Sequence, residues 1–127
     1  MIVVDASVAV LGLLNDGDAR RSLAEETVAV PHLADSEVAH ALRAQVLRGK
    51  AQESQARNAL SRWACLGVRR FSVVGLLGRV WELRQNLSAY DASYVALAEA
   101  MSCPLHTADS RLARAPGPTC TIVVVRR

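Results

Sequence analysis

The sequence predicts an α/β fold: a three-layer sandwich in which a parallel sheet carries helices on both faces. Three observations predict it. Strand-like and helix-like segments alternate along the whole chain. The strand candidates are short, continuous and rich in β-branched residues, as strands buried on both faces are. No linker, repeat or low-complexity run interrupts the alternation. The length of 127 residues falls in the range of one domain, so residues 1–127 read as a single unit.

Ile2-Val3-Val4 is the first strand candidate, and Ser7 to Leu14 a short apolar helix. Asn15-Asp16-Gly17-Asp18 is a turn cluster. Asp18 to Glu26 reads as a second helix, and Val28-Ala29-Val30 as a second strand closed by Pro31. Val38, Leu42 and Val46 give one apolar face to a longer helix, Ala34 to Arg48, stopped by Gly49. Ala51 to Leu66 is the next helix, with Gly67 placed to end it. Val68 to Phe71 is a third strand candidate. Leu76, Val80, Leu83 and Leu87 have helical spacing over Val73 to Leu87. Ala89 to Met101 is Ala-rich and apolar almost all round, which predicts a buried helix. Pro104-Leu105-His106 is a fourth strand, Asp109 to Ala115 a short helix, and Ile122 to Val125 a final buried strand.

Composition narrows the function classes. The chain is 51% hydrophobic and 21% charged, too apolar and too balanced for disorder. Cys65, Cys103 and Cys120 are odd in number and form no C-x-x-C, which argues against a disulfide framework or a zinc ribbon. A reducing cytoplasm fits that usage. No basic, apolar leader opens the chain and no long apolar run is present, so neither a signal peptide nor a membrane span is expected. The aromatic fraction of 4% argues against a base-stacking platform. A net charge of +3 permits a nucleic-acid partner without requiring one. Every base but Lys50 is Arg, an excess that a genomic composition bias explains. Arg111 is the base placed to line a cleft beside Asp109.

In parallel α/β sheets, ligands sit beyond the carboxyl ends of the strands. Asp5 follows the first strand and Asp109 the fourth. Glu37 and Asp91 lie in the opening turns of helices that start on that same edge. Each has a plain structural alternative. Asp5 and Asp109 suit N-caps, Ser88-x-x-Asp91 resembles a capping box, and Glu37 suits a helix N-terminus. Together they place four carboxylates on one cleft. Close carboxylates repel and raise one another's pKa, and a hard divalent cation removes that repulsion. An oxygen-only ligand set points to Mg²⁺ or Mn²⁺ rather than zinc. Such a cation acidifies water and stabilises phosphoryl charge, which fits hydrolysis of a phosphodiester.

Ordered motifs carry a family resemblance. Val3-Val4-Asp5-Ala6-Ser7 resembles the opening motif of PIN-domain proteins. Ser36-Glu37-Val38 with Ala41-Leu42 resembles their second acidic motif, and Leu87-Ser88-Ala89-Tyr90-Asp91-Ala92 with Leu97-Ala98-Glu99 their third. Leu105-His106-Thr107-Ala108-Asp109-Ser110-Arg111-Leu112 resembles the fourth. Their order, spacing and total length are similar to a VapC-type toxin of a toxin–antitoxin pair. The resemblance implies a Rossmann-like sandwich with a five-stranded parallel sheet. It implies a Mg²⁺- or Mn²⁺-dependent endoribonuclease acting on RNA, often homodimeric and inhibited by a VapB-type antitoxin. By motif, Asp5, Glu37, Asp91 and Asp109 would be the metal-holding and catalytic acids. Ser7 and Thr107 match small hydroxyl positions that hold a carboxylate or a bound water.

The remaining candidates have weaker claims. Asp35 is two residues from Glu37 on a helix and so off its face, which makes it a helix-start residue. His32, His40 and His106 have no partner in the sequence to mark them as acid–base groups. A receiver domain would need an Asp pair and a late Lys, a phosphatase D-x-D, and a dinucleotide-binding domain G-x-G-x-x-G; none is present. The rival within the resemblance is a non-catalytic PIN-like module binding RNA or protein. A missing acid would favour it, and all four acids are in place.

Overall fold

A computed structural model describes residues 1–126. Five strands form one all-parallel sheet: β1 (Ile2–Val4), β2 (Val28–Pro31), β3 (Arg69–Phe71), β4 (Leu105–Thr107) and β5 (Ile122–Val124). Their order across the sheet is β3-β2-β1-β4-β5. The chain moves outward from β1 to β3, then crosses back to β4 on the other side of β1. The switch point therefore lies between β1 and β4, where a ligand crevice opens in such sheets.

Among the described residues, seven α-helices flank the sheet: α1 (Ala6–Leu14), α2 (Asp18–Glu25), α3 (Leu33–Leu47), α4 (Glu53–Cys65), α5 (Leu77–Glu82), α6 (Ala89–Met101) and α7 (Ser110–Arg114). The first four pack on one another over one face. α6 lies against β1, β2 and β4 and packs with α5. It is buried over Ala92 to Ala98, as its uninterrupted apolar sequence predicts. The central strands β1 and β2 are buried throughout.

Two local expectations change. The helix expected over Val73 to Leu87 is split into a 3₁₀ turn, Val74–Leu76, the short α5, and turns through Leu87. Gly75 and Gly78 fall inside that stretch and weaken helix propagation. Leu83 and Leu87 still reach the core. β5, expected to be buried, is an edge strand with only β4 beside it, and Val123 is exposed. Its apolar run looks the same in sequence as that of a central strand. β2 also runs through Pro31, which needs no donor at a strand end; the His32 amide continues the ladder by donating to the Phe71 carbonyl.

Candidate active site

Asp5 leaves the carboxyl end of β1 in extended conformation and caps α1, taking the Val8 amide on Oδ1 at 3.2 Å. The capping reading is thus correct, but it uses only part of the carboxylate. The Ser7 hydroxyl donates to the same Oδ1 at 2.5 Å, and the Thr107 hydroxyl donates to Oδ2 at 2.5 Å. Two acceptor directions on Oδ1 are filled, and Oδ2 keeps one open. Asp5 is only 7% exposed, and burial pushes its pKa up despite these donors.

Ser7 and Thr107 also tie the fourth motif to the first. The Ser7 hydroxyl accepts the Ala108 amide at 2.9 Å, and the Thr107 hydroxyl accepts the Asp109 amide at 3.0 Å. Each hydroxyl therefore donates to Asp5 and accepts from the loop that carries Asp109. This loop leaves β4 at the switch point, so the two hydroxyls fix the crevice walls to each other.

Glu37 sits in the second turn of α3. Its Oε1 accepts the Tyr94 hydroxyl at 2.7 Å, leaving Oε2 without that tether. Burial raises the Glu37 pKa, and the Asp91 and Asp5 carboxylates raise it further. Asp91 lies in the first turn of α6, where its amide donates to the capping Ser88 hydroxyl at 3.1 Å. Burial lifts its pKa first, and Asp5 and Asp109 add repulsion. Three acids from β1, α3 and α6 therefore act on one another across the carboxyl edge. None of the three is in an ion pair among the described residues.

Asp109 differs. It is the N-cap of α7, and Arg111 binds its carboxylate through the backbone amide at 2.9 Å and Nε at 3.2 Å. That pairing holds its pKa below the ordinary range. Arg111 also partly offsets the charge of Asp91, so it stands at the cleft edge on the side of Asp109.

Tyr94 is the site residue that sequence reasoning missed. It is buried one helical turn after Asp91, and burial with Glu37 beside it pushes its phenol pKa up. A detectable signal existed: Tyr at i+3 from an acid in a buried helix needs a partner for its hydroxyl. Asp35, by contrast, is engaged elsewhere. It accepts from Trp63 Nε1 at 2.8 Å and pairs with Arg70 at 2.9 Å, joining α3, α4 and β3. His106 alternates with Leu105 and Thr107 on β4, which points it away from Thr107 and Asp5; its charge neighbour is Glu26. His40 is exposed on α3.

Among the described residues, no group of three or more His, Cys, Asp or Glu side chains is arranged to hold a metal ion together. The donor set still fits a hard cation. It is all oxygen, it carries mutual repulsion, and it leaves open acceptor positions on Asp5 and Glu37. Mg²⁺ is characteristically held by one or two carboxylates with waters completing its shell.

Helices on both faces of a parallel sheet and an acid-lined switch point define a PIN-type domain. A family model for the PIN domain matches residues 2–118, and the chain belongs to that family. Within it, the chain is 55% identical over 127 residues to ribonuclease VapC9 of Mycobacterium tuberculosis, covering 100% of both chains. Among solved structures, PAE2754 from Pyrobaculum aerophilum superposes with a TM-score of 0.71 at 25% identity, covering 97% of this chain and 83% of that one. VapBC2 from Rickettsia felis, bound to a DNA fragment from its promoter, gives 0.69 at 16% identity over 99% of this chain and 100% of that one. At that identity the second likeness concerns fold alone.

Proposed function

We propose that this chain is a single-domain VapC-type endoribonuclease, the toxin of a type II toxin–antitoxin pair, that hydrolyses RNA phosphodiester bonds with Mg²⁺ or Mn²⁺. Its relatives are named VapC ribonucleases at 55% and 46% identity over nearly their whole length. The observation that carries the chemistry is the convergence of Asp5, Glu37 and Asp91 with no ion-pairing base among them. Asp5, Glu37, Asp91 and Asp109 would hold the metal. When bound, it would supply a Lewis acid that acidifies water and neutralises phosphoryl charge.

The chain's own groups have distinct roles in this reading. Ser7 and Thr107 fix the direction of the open Asp5 lone pair. Tyr94 holds one Glu37 oxygen, so the other points to a defined place. Burial and the neighbouring carboxylates raise the Glu37 pKa, which suits its untethered oxygen to take the proton of the attacking water. Arg111 keeps Asp109 ionised and oriented.

The wider reading places the protein in the cytoplasm, as a homodimer, with a VapB-type antitoxin as partner. Three free cysteines support a reducing compartment, and among the described residues no helix is long and apolar enough to cross a membrane. Val74, Leu77 and Trp81, exposed at helical spacing, support a protein contact. The test is incubation of the purified chain with cellular RNA in Mg²⁺ or Mn²⁺. Internal cleavage that stops on chelation supports the reading; intact RNA under both metals overturns it.

A further inference from the structure

A groove of about 860 Å³ opens beside the acids and runs away from them. It begins at Ser7 and Ala108; the Ser7 hydroxyl accepts the Ala108 amide and donates to Asp5. α1 supplies an apolar floor through Val10, Leu11 and Leu14, and Val124 faces it from β5. Lys50 and Arg126 stand among its lining residues, and no Asp or Glu does. From Ser7 to Leu14, α1 extends roughly 10 Å at about 1.5 Å per residue. That length takes about three stacked nucleotides at ~3.4 Å each.

Lys50 is the chain's single lysine, and its placement is built. Gly49 takes φ +69°, a left-handed conformation that suits glycine, and turns the chain directly after α3. The Lys50 amide then donates to the Gln45 carbonyl at 2.9 Å, which anchors the backbone at the groove. Neither Lys50 nor Arg126 is in an ion pair among the described residues, and both are exposed. Many arginines elsewhere are occupied: Arg70 by Asp35, Arg79 by Glu99, and Arg20 and Arg62 by carbonyls at the end of α1.

From this we infer that the groove seats the RNA strand flanking the cleaved bond, with Lys50 and Arg126 as positioning residues for its phosphates. The inference rests on the ribonuclease reading. The acid cluster repels polyanions, so a flanking strand needs cations placed beyond it. A groove with two free cations, no lining acid and an apolar floor for bases meets that need.

The test uses a fluorescein-labelled, single-stranded oligoribonucleotide of random sequence, with chelator present so that binding is read without cleavage. Lys50→Gln and Arg126→Gln are each expected to weaken binding and to reduce the salt slope of log K by about 0.7. Lys50→Arg is expected to restore the slope. In cleavage assays with Mn²⁺, both Gln variants are expected to raise KM with kcat nearly unchanged. Wild-type slopes and KM values in both Gln variants, with cleavage intact, would overturn the groove alone and leave it to a protein segment. No cleavage by the wild-type chain would instead overturn the ribonuclease reading.

Discussion

At Glu37 the carboxylate is steadied by a phenol rather than by a base, so the site keeps its negative charge. Tyr94 lies on α6 and Glu37 on α3, and their hydrogen bond joins elements far apart in sequence. Tyr94→Phe is expected to lower kcat roughly tenfold to a hundredfold through misplacement of Glu37, with KM little changed. Steady-state kinetics check that split. Thr107 has a heavier structural duty, because it is fully buried, donates to Asp5 and accepts from the Asp109 amide. Thr107→Val keeps the shape and leaves two polar groups unsatisfied, so urea unfolding should show a loss of about 1–3 kcal/mol. The placement of the four acids on the carboxyl edge is legible in sequence, because each follows a strand or opens a helix there. Tyr94 is not, because its role depends on which side chain α3 brings opposite it. Likewise, the pairing that sets Asp109 apart comes from Arg111 folding back on the α7 cap, a local contact that motif spacing does not reveal.

Helix α1 shows how an element is placed to hold the site. Gly12 lets α2 approach closely; a Cβ there would lie 2.7 Å from a Leu23 methyl and 3.0 Å from the Ala19 carbonyl carbon. Arg20 and Arg62 donate to the Gly12 and Leu13 carbonyls, closing the helix end that lacks intrahelical partners. Gly12→Ala is expected to cost about 1–3 kcal/mol by overpacking, read as a lower urea midpoint. Strong local signals made most elements readable. Ala89–Met101 matches its sequence prediction because Ser88 caps it and its apolar run is unbroken. Periodicity alone misled over Val73 to Leu87, where the segment breaks into a 3₁₀ turn and the short α5 while Leu83 and Leu87 remain inward. The burial of β5 could not be read from its residues, since edge and centre differ only in strand order, which is a property of the whole chain.

Across the whole molecule, two sets of carboxylates pull stability in opposite directions with pH. Asp5, Glu37 and Asp91 have raised pKa values, so the folded state binds protons more tightly than the unfolded state. Between the ordinary carboxylate range of ~3.9–4.3 and their raised values, stability falls as pH rises. Glu99 is lowered by Arg79, so its contribution is present above the ordinary range and is lost as pH falls through its folded value. Metal-free protein should therefore be most stable at mildly acidic pH and weaken toward neutrality. If the acid cluster holds the proposed metal, divalent cations should remove that weakening by binding the folded state. Thermal melts across pH, with chelator and with Mn²⁺, check both signs. Asp91→Asn should raise the metal-free melting temperature at neutral pH and blunt its response to metal. The net charge of +3 thus averages an acidic cleft with more basic surroundings, though many of the arginines serve the fold. The most direct measurement is RNA cleavage by wild type, Asp5→Asn and Asp91→Asn in Mn²⁺, with circular dichroism confirming the fold. Both variants are expected to be inactive while folded; a folded Asp91→Asn chain that cuts at the wild-type rate would contradict a catalytic acid cluster.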